Sequence, residues 1–389
     1  MDGLRAPPTP ASAEIEKRID HTRQLMRERG LSALALTGPE DIYYLTGLDH
    51  QGYFAFTLLV VPLTRCPLVV ARAMEAWTIA AMAPGVEHVP YGDDEHSSWA
   101  AARAVRHAVP DTGIVGIDRS GMWMPLAVWD ELQVACPGVE YVDGSGLVEG
   151  LRQVKSDLEI EYVRQAAETS SQAMNAGIAA ITSGVTERDV ARRVYDALLS
   201  AGSEHPGFVP LIRTRDRLSL EHCTWTNRTL AYGDAVFLEL SGSVARYHAP
   251  LSRIVHVGST PKGTVDSAVL AAAGMEAVRA ALVPGAVSGD VYEAWQDVVD
   301  TGLGHKRYRR HHCGYLIGIG FPPSWVGGGS VVGLRRGGDL EIKAGMVFHV
   351  LSWLMGQHIP DYMLSDSILV TPYGGEILTN APWDPIITT

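Results

Sequence analysis

The sequence has few cysteines and no long apolar run. Its 389 residues include only Cys66, Cys136, Cys223 and Cys313, and no two of them are spaced as CxxC. Widely separated cysteines argue against a disulfide framework and indicate a reducing compartment. No apolar stretch reaches the roughly 18 residues that a membrane-spanning helix needs. The amino-terminal residues carry prolines and acids where a secretory signal carries basic and apolar residues. We therefore expect a cytoplasmic protein with no membrane partner.

The motifs of several common enzyme classes are also missing. The chain contains no GxSxG, Walker A or HExxH motif, and no GxGxxG motif after an apolar run. Acidic residues outnumber basic ones by 44 to 32, which gives a formal net charge of −12. This excess of acid argues against a nucleic-acid partner. With 46% hydrophobic and 20% charged residues, the composition is typical of a folded globular protein.

The length and the order of the predicted elements indicate two domains. Up to about residue 150, short apolar runs such as Phe54–Pro62 alternate with helical segments such as Leu126–Ala135, which predicts an α/β domain over residues 1–150. A capping box at Ser156 with Glu159 then predicts a long helix to about Ile181. Helix pairs followed by strand-like runs predict an α+β domain over residues 151–389.

An acidic residue interrupts one of the apolar strands predicted for the second domain. In the run Ala235–Leu240, Glu239 shares one face with Phe237 and Ser241. A carboxylate in a buried strand is costly unless it is paired or used in chemistry. Two interpretations remain open at this point: an ion pair, with Arg253 on a neighbouring strand as the partner, or a functional group.

Histidines and arginines form two further candidate sites. His222 lies in a loop before the strand that carries Glu239, where it is either a surface side chain or a functional one. The adjacent His311 and His312 follow several arginines. Because neighbouring side chains point apart, two adjacent histidines rarely bind one metal ion. The basic cluster is therefore interpreted as a solvated face or as an anion contact.

Several motifs resemble one known superfamily and occur in its order. Gly233–Gly242, Arg246–Arg253 and Gly345–His349 resemble segments of the creatinase and methionine-aminopeptidase superfamily, as does Ser365–Thr371. The motif Tyr43–Gly47 resembles the amino-terminal domain of its two-domain members. The resemblance implies an α+β fold, in which a pita-bread catalytic domain follows a smaller α/β domain.

The residues at the superfamily's metal-binding positions differ from its pattern. Metal-dependent members bind two divalent ions through two aspartates, a histidine and two glutamates. The resemblance places Glu239 and Pro250 at the aspartates, Tyr315 at the histidine, and Leu351 and Ser365 at the glutamates. Proline and leucine offer no ligand atom in their side chains. We therefore expect no metal and no other cofactor.

The motifs resemble the superfamily's metal-free branch, which includes creatinase and ectoine hydrolase, and they are closer to ectoine hydrolase. This implies a metal-independent hydrolase that opens a C–N bond in a small cyclic amidine. Glu239 would be the base or nucleophile, and His222 the group that carries protons. The residues expected to contact substrate are Tyr247, His248, Tyr315 and Trp325, together with Asp366, which could instead cap its strand. A homodimer is also implied, in which the partner's first domain completes the pocket through His50, Tyr53 and Asp93.

Two alternatives to this function remain. The same fold could act on another small amide, guanidino or cyclic substrate in a biosynthetic pathway, with the loop Gly327–Gly329 reshaping the pocket. The chain could also be a non-catalytic binding module. A metal-dependent Xaa-Pro peptidase fits least well, because the metal ligands are absent from the pattern.

Overall fold

The computed structural model describes residues 12–109, 112–327 and 331–389. Gly328 and Gly329 of the predicted pocket loop lie outside these residues. The chain divides into two units, one ending at Arg152 and the other beginning at Gln153. None of the helices in these ranges combines the length and the apolar character that crossing a membrane requires.

The first unit is built on a mixed sheet of six strands covered by helices. Its sheet has the order β4-β3-β2-β1-β5-β6, with β1 antiparallel to β2, β2 antiparallel to β3, and the other neighbours parallel. Its helices are α1 (Ser12–Glu28), α2 (Pro39–Thr46), α3 (Ala76–Met82), α4 (Ser97–Ala108), α5 (Leu126–Ala135) and α6 (Leu147–Gln153). Its strands are β1 (Ala33–Leu36), β2 (Leu58–Pro62), β3 (Leu68–Arg72), β4 (Glu87–Tyr91), β5 (Gly113–Ile117) and β6 (Val139–Asp143).

One strand prediction in this unit is wrong at its start. The apolar run from Phe54 was predicted as one strand, but β2 begins only at Leu58, and residues Gln51–Phe54 form a 3-10 turn. The Phe54 side chain is 76% exposed. The turn brings the Gly52 backbone so close to His50 and Glu75 that a Cβ at this position would clash with both side chains. Apolar composition alone does not reveal such a contact.

The second unit packs two helix pairs against one large sheet. Its helices are α7 (Asp157–Ala180), α8 (Glu187–Ser200), α9 (Thr264–Ala281) and α10 (Ser288–Leu303). Its strands are β7 (Leu211–Thr214), β8 (Ala235–Leu240), β9 (Ser243–Val244), β10 (Tyr247–His248), β11 (Leu251–Val257), β12 (Gly314–Leu316), β13 (Val347–Leu354), β14 (Tyr362–Thr371), β15 (Gly374–Ile377) and β16 (Ile386–Thr388). The main sheet has the order β12-β13-β14-β11-β8-β7, with β15 paired to β14 and β16 to β11.

The alternation of side chains along these strands separates two faces of the sheet. Val236, Leu238 and Leu240 of β8 pack into an apolar core with α7 and α8. Phe348 and Val350 of β13 pack into a second core with α9 and α10. The intervening residues, among them Glu239 and His349, therefore point to the face away from these cores.

The predicted capping box at the start of α7 is present. The Ser156 side chain accepts a hydrogen bond from the Glu159 backbone, and the Glu159 carboxylate accepts one from the Ser156 backbone. Such a box satisfies two backbone donors that would otherwise have no partner at the helix start. It fixes where the long helix begins, directly after the division between the two units.

We expect Ser156→Ala to lower the free energy of unfolding by about 1 kcal/mol, because the cap loses its acceptor. Urea unfolding followed by circular dichroism would measure the change. Ser156→Asp keeps an acceptor at this position and should retain most of the stability. Equal losses in both variants would contradict a capping role.

Candidate active site

A row of side chains crosses four neighbouring strands on the face turned away from the helices. Glu239 of β8 lies opposite Ser252 of β11, which lies opposite Ser365 of β14, which lies opposite Leu351 of β13. We call these four residues the cross-strand row. Three of them stand at positions where the superfamily resemblance places metal ligands. Because directly opposed residues have Cβ atoms only about 5 Å apart, the row forms one contiguous surface.

Glu239 is buried in this row, and no residue in the described ranges forms a hydrogen bond with its side chain. Its side chain is 9% exposed, and His349 Nε2 lies 4.0 Å from Glu239 Oε1. Burial raises the pKa of Glu239 to about 7, with Arg213 and Arg310 opposing the rise and Glu221 adding to it. Near neutral pH this carboxyl group therefore exchanges its proton readily.

The predicted ion pair between Glu239 and Arg253 is not formed, because Arg253 has other partners. The Arg253 guanidinium binds both oxygens of Asp366, at 3.0 and 3.1 Å, and donates to the backbone carbonyls of Ser252 and Ser365. Arg253 and Asp366 lie on the helix side of the sheet, since each follows a residue of the cross-strand row. Period-two alternation thus puts this ion pair and Glu239 on opposite faces.

Both carboxylate oxygens of Asp366 already accept hydrogen bonds on the helix side of the sheet, away from the cross-strand row. Besides Arg253, its oxygens accept hydrogen bonds from Thr379 Oγ1 at 2.7 Å and from Trp383 Nε1 at 2.8 Å. Of the two interpretations of Asp366, these contacts support the structural one.

His349 connects the cross-strand row to two aromatic side chains. Its Nε2 lies 2.6 Å from Ser365 Oγ and its Nδ1 lies 2.8 Å from Tyr315 Oη. The Tyr315 hydroxyl also accepts a hydrogen bond of 3.0 Å from Trp325 Nε1. Burial lowers the pKa of His349 to about 3. The imidazole is therefore neutral in the physiological range.

His222 reaches the same aromatic group through Phe208. The rings of His222 and Phe208 stack with centroids 6.0 Å apart, and Phe208 meets the Trp325 ring edge-on at 4.7 Å. His222 has a φ of 57°, a left-handed conformation that is uncommon for any residue other than glycine. The structure thus connects Glu239, Tyr315, Trp325 and His222 through a chain of contacts.

Tyr247 and His248 are anchored to the protein framework. The Tyr247 hydroxyl donates to the Glu159 carboxylate, and the ring packs beside Tyr162. His248 Nε2 accepts a hydrogen bond from the Gly207 backbone, and Nδ1 contacts the Arg246 carbonyl. Both side chains are almost fully buried. Burial lowers the pKa of His248 to about 3, so its ring is neutral at physiological pH.

The basic cluster before β12 is exposed at Arg307, Arg309 and His311 and half-buried at Arg310 and His312. Arg309 pairs with Asp300 at 2.7 Å, and Arg310 pairs with Glu221 at 2.9 Å while its guanidinium covers the Trp353 ring. The ring of His312 meets Tyr315 edge-on at 5.4 Å, and burial lowers the pKa of His312 to about 3. Arg309 and Arg310 therefore supply ion pairs within the second unit.

The three residues predicted from the first unit have partners within that unit. His50 Nδ1 lies 3.4 Å from Glu75 Oε2, and burial lowers the pKa of His50. Tyr53 meets the Trp123 ring at 5.8 Å. The exposed Asp93 carboxylate lies 2.7 Å from Arg72 Nη2.

Comparison with known proteins assigns both units. The model of metallopeptidase family M24 matches residues 161–372, and that of the creatinase/prolidase amino-terminal domain matches residues 18–154. The chain belongs to metallopeptidase family M24. This hydrolase family and the two-domain pita-bread fold are thus confirmed as the sequence predicted.

Individual relatives of this M24 protein carry different descriptions. An uncharacterized hydrolase/peptidase of Sinorhizobium fredii is 28% identical over 97% of this chain and 98% of its own. Ectoine hydrolase of Halomonas elongata is 26% identical over 95% of this chain and 96% of its own. The crystal structure of prolidase from Thermococcus sibiricus matches with a TM-score of 0.85 at 20% identity, covering 97% of this chain and all of the other.

The donor atoms of this M24 protein do not fit the two-metal site that the superfamily implies. Glu239 is the one carboxylate of the cross-strand row, and its other members are two hydroxyls and an aliphatic side chain. In the described ranges, the only three His, Cys, Asp or Glu side chains with donor atoms within 4.8 Å of one another are Asp41, Asp118 and Glu149. They belong to the first unit, where Arg152 Nη1 already lies 2.9 Å from Asp41 Oδ1.

The sequence interpretation missed His349 as a site residue. It appeared only as the last residue of the Gly345–His349 motif. The available signal was its period-two spacing from Leu351, which places both residues on one face of β13. The partners of its two ring nitrogens lie on other strands, so only the tertiary structure reveals them.

Replacement of Glu239 by Gln should stabilise the protein at alkaline pH. The pKa of Glu239 is about 7 in the folded protein, above the ordinary 4.5. Between these pH values the unfolded chain has lost a proton that the native state keeps, so rising pH destabilises the native protein. We expect Glu239→Gln to gain at most about 3 kcal/mol relative to wild type between pH 5 and pH 8.

Urea unfolding at the two pH values measures this gain. Glu161→Gln, on the exposed face of α7, is the matched control and should show no comparable dependence. A Glu239→Gln protein whose difference from wild type is the same at both pH values would show that burial does not disfavour the ionised carboxylate.

Proposed function

We propose that this protein is a metal-independent hydrolase that opens a C–N bond in a small cyclic amidine, as ectoine hydrolase does. The observation that carries the proposal is the buried Glu239 carboxylate, which has no hydrogen bond among the described residues and lies in a row unsuited to two cations. The 26% identity to ectoine hydrolase over nearly the whole chain supports the substrate class.

The chemistry of an amidine matches the groups around Glu239. A protonated amidine is a planar cation with N–H donors, and a carboxylate without other partners both accepts those donors and balances the charge. The aromatic rings of Trp325 and Phe208 offer surfaces on which a flat cation stacks. His349 and His312 are neutral, because burial lowers the pKa of each to about 3, so neither repels the substrate.

Ring opening requires a nucleophile and a proton for the departing nitrogen. Water adds to the amidine carbon, one ring C–N bond breaks, and the proton removed from water passes to that nitrogen, which leaves an amide and an amine. Glu239 would act as base for the water, or attack the carbon itself before water releases the product. A carboxyl group with a pKa of about 7 both accepts and returns a proton near neutral pH.

We assign the second proton-transfer role to His222. A histidine changes protonation near neutral pH more readily than other side chains, and the left-handed backbone at His222 turns the ring onto Phe208 beside Trp325. Tyr315 and Trp325 are assigned to the pocket wall. Tyr247 and His248 are held by hydrogen bonds to Glu159 and to the Gly207 backbone, and we assign both to packing beneath that wall.

We also propose that the protein acts as a cytoplasmic homodimer. His50, Tyr53 and Asp93 would then complete the pocket of the partner subunit. The exposed Phe54 and Trp77 side chains, 76% and 88% accessible, support an interface on the first unit, since large aromatic residues are enriched in interfaces. Light scattering on the purified protein measures the oligomeric state.

The substrate class is tested with enzyme from which metals have been removed by a chelator. We expect turnover of ectoine in this preparation, unchanged by added Mn²⁺, Co²⁺ or Zn²⁺, because no step depends on a cation. Creatine and an Xaa-Pro dipeptide serve as comparison substrates. Turnover of another small amide or guanidino compound in place of ectoine would favour the alternative substrate.

Two other outcomes would contradict the proposal. Activity that the chelator abolishes and a divalent ion restores would point to a metallopeptidase. No turnover of any compound would point to the non-catalytic binding module.

The two proposed catalytic residues are tested by substitution. We expect Glu239→Gln to lower kcat by about a thousandfold and His222→Ala by about a hundredfold, within the range that general acid–base groups contribute. Circular dichroism confirms that each variant is folded. His21→Ala, on the exposed surface of α1, is the control and should keep the wild-type rate. Wild-type activity in Glu239→Gln would remove the basis of the mechanism.

A further inference from the structure

A one-directional chain of hydrogen bonds passes through the centre of the proposed active site. It leads from Trp325 Nε1 to Tyr315 Oη at 3.0 Å, then to His349 Nδ1 at 2.8 Å. From His349 Nε2 it continues to Ser365 Oγ at 2.6 Å and from there to Ser252 Oγ at 2.7 Å. All five side chains are at most 9% exposed. Water therefore has little access to these bonds.

The chemistry of the first donor sets the direction of the chain. An indole N–H only donates, so the Tyr315 oxygen accepts from Trp325. Among the described residues Tyr315 Oη has one other hydrogen-bond partner, His349 Nδ1, which therefore receives the phenol hydrogen. A neutral imidazole carries one proton, so His349 holds its proton on Nε2.

The serine end of the hydrogen-bond chain is consistent with this direction. The Nε2–H group of His349 donates to Ser365 Oγ, which leaves the Ser365 hydrogen for Ser252. The Ser252 hydroxyl then lies 2.7 Å from Met363 Sδ, a weak acceptor that cannot donate. Every hydroxyl in the chain thus has one acceptor, and no two hydrogens compete for the same position.

We propose that Tyr315 and Trp325 hold His349 in its Nε2–H tautomer, and that His349 is the positioning residue that presents this N–H to Ser365 and Glu239. The inference deepens the proposed function and rests on it, because it gives Glu239 its role. With the Nε2 atom 4.0 Å from Glu239 Oε1, a small movement of the carboxylate during turnover brings it into hydrogen-bond range of that donor.

The tautomer decides whether His349 attracts or repels the ionised carboxylate. A proton on Nε2 directs a positive dipole at Glu239, whereas a proton on Nδ1 would direct a lone pair at it. The other charged or titratable groups acting on Glu239 are Arg213, Arg310, Glu221 and Tyr315, and His312 acts on His349. None of them offers Glu239 a hydrogen bond in the described structure.

The first test measures the tautomer without any substrate. Imidazole ¹⁵N spectra of the uniformly labelled protein identify the His349 signal as the one that is absent from His349→Gln. From pH 6 to pH 8 this signal should show a protonated Nε2 and an unprotonated Nδ1. In Tyr315→Phe we expect the Nδ1–H form to become populated. A His349 signal with protonated Nδ1 in the wild type overturns the proposal. Because no substrate is present, this result does not depend on the proposed function.

The second test follows the pH dependence of kcat/KM on the substrate that the panel identifies. In His349→Leu and Tyr315→Phe the acid limb should move to higher pH by about one unit, since the ionised carboxylate loses a donor. His349→Gln retains an N–H group and should move back towards the wild-type profile. Unchanged profiles in His349→Leu and Tyr315→Phe overturn the positioning role.

Tyr362→Phe is the matched control for loss of a buried phenol. Its hydroxyl donates to the Trp383 carbonyl at 2.7 Å, away from the chain of hydrogen bonds. It should lower stability without altering the His349 tautomer or the acid limb. If His349→Leu does not fold, Tyr315→Phe alone carries the test. A protein that turns over no substrate but shows the Nε2–H tautomer would count against the proposed function and not against the hydrogen-bond chain.

Discussion

The site depends on one buried carboxylate to which the surrounding described residues offer no hydrogen bond. Burying a charge without a partner is unfavourable, and proteins ordinarily avoid it by pairing or protonation. Arg253 on β11 does not pair with Glu239, because it lies on the other face of the sheet and binds Asp366, while the charges of Arg213 and Arg310 only partly oppose the effect of burial on the pKa of Glu239. Glu239 therefore lies near the balance between its charged and neutral forms, the condition in which a carboxyl group both accepts and releases protons.

The departures from the superfamily pattern are physically consistent with one another. A surface of five metal ligands would concentrate negative charge that only cations could neutralise. In this chain the cross-strand row holds a single carboxylate beside hydroxyl and aliphatic groups, and the neutral His349 ring contacts Ser365 and Tyr315. The two serines, His349 and Tyr315 satisfy one another through hydrogen bonds, whereas no described residue offers Glu239 one. The fold is that of the family, while the side chains at its metal-ligand positions differ from the superfamily pattern.

Local patterns predicted much of the fold for identifiable reasons. The capping box at Ser156 depends on residues only three positions apart, so the start of α7 could be read directly from the chain. Strand β8 was predicted with the bounds Ala235–Leu240 because its apolar run ends in small residues that favour turns. Phe54 was placed wrongly, since an apolar residue in a run can belong either to a buried strand or to an exposed turn. In the structure Phe54 ends a 3-10 turn and is 76% exposed.

The sequence by itself determined the family and the two-domain organisation and made Glu239 a candidate site residue, because each rests on short motifs or on one charged residue in an apolar strand. Only the tertiary structure decided the partners of that carboxylate. Strand register places Arg253 on the helix side of the sheet and places His349 and Ser365 on the face away from the helices. Hydrogen bonds across β12, β13 and β14 orient the imidazole of His349. Those relations join residues that are far apart in the chain, and pairing between distant strands is set by the packing of the whole domain.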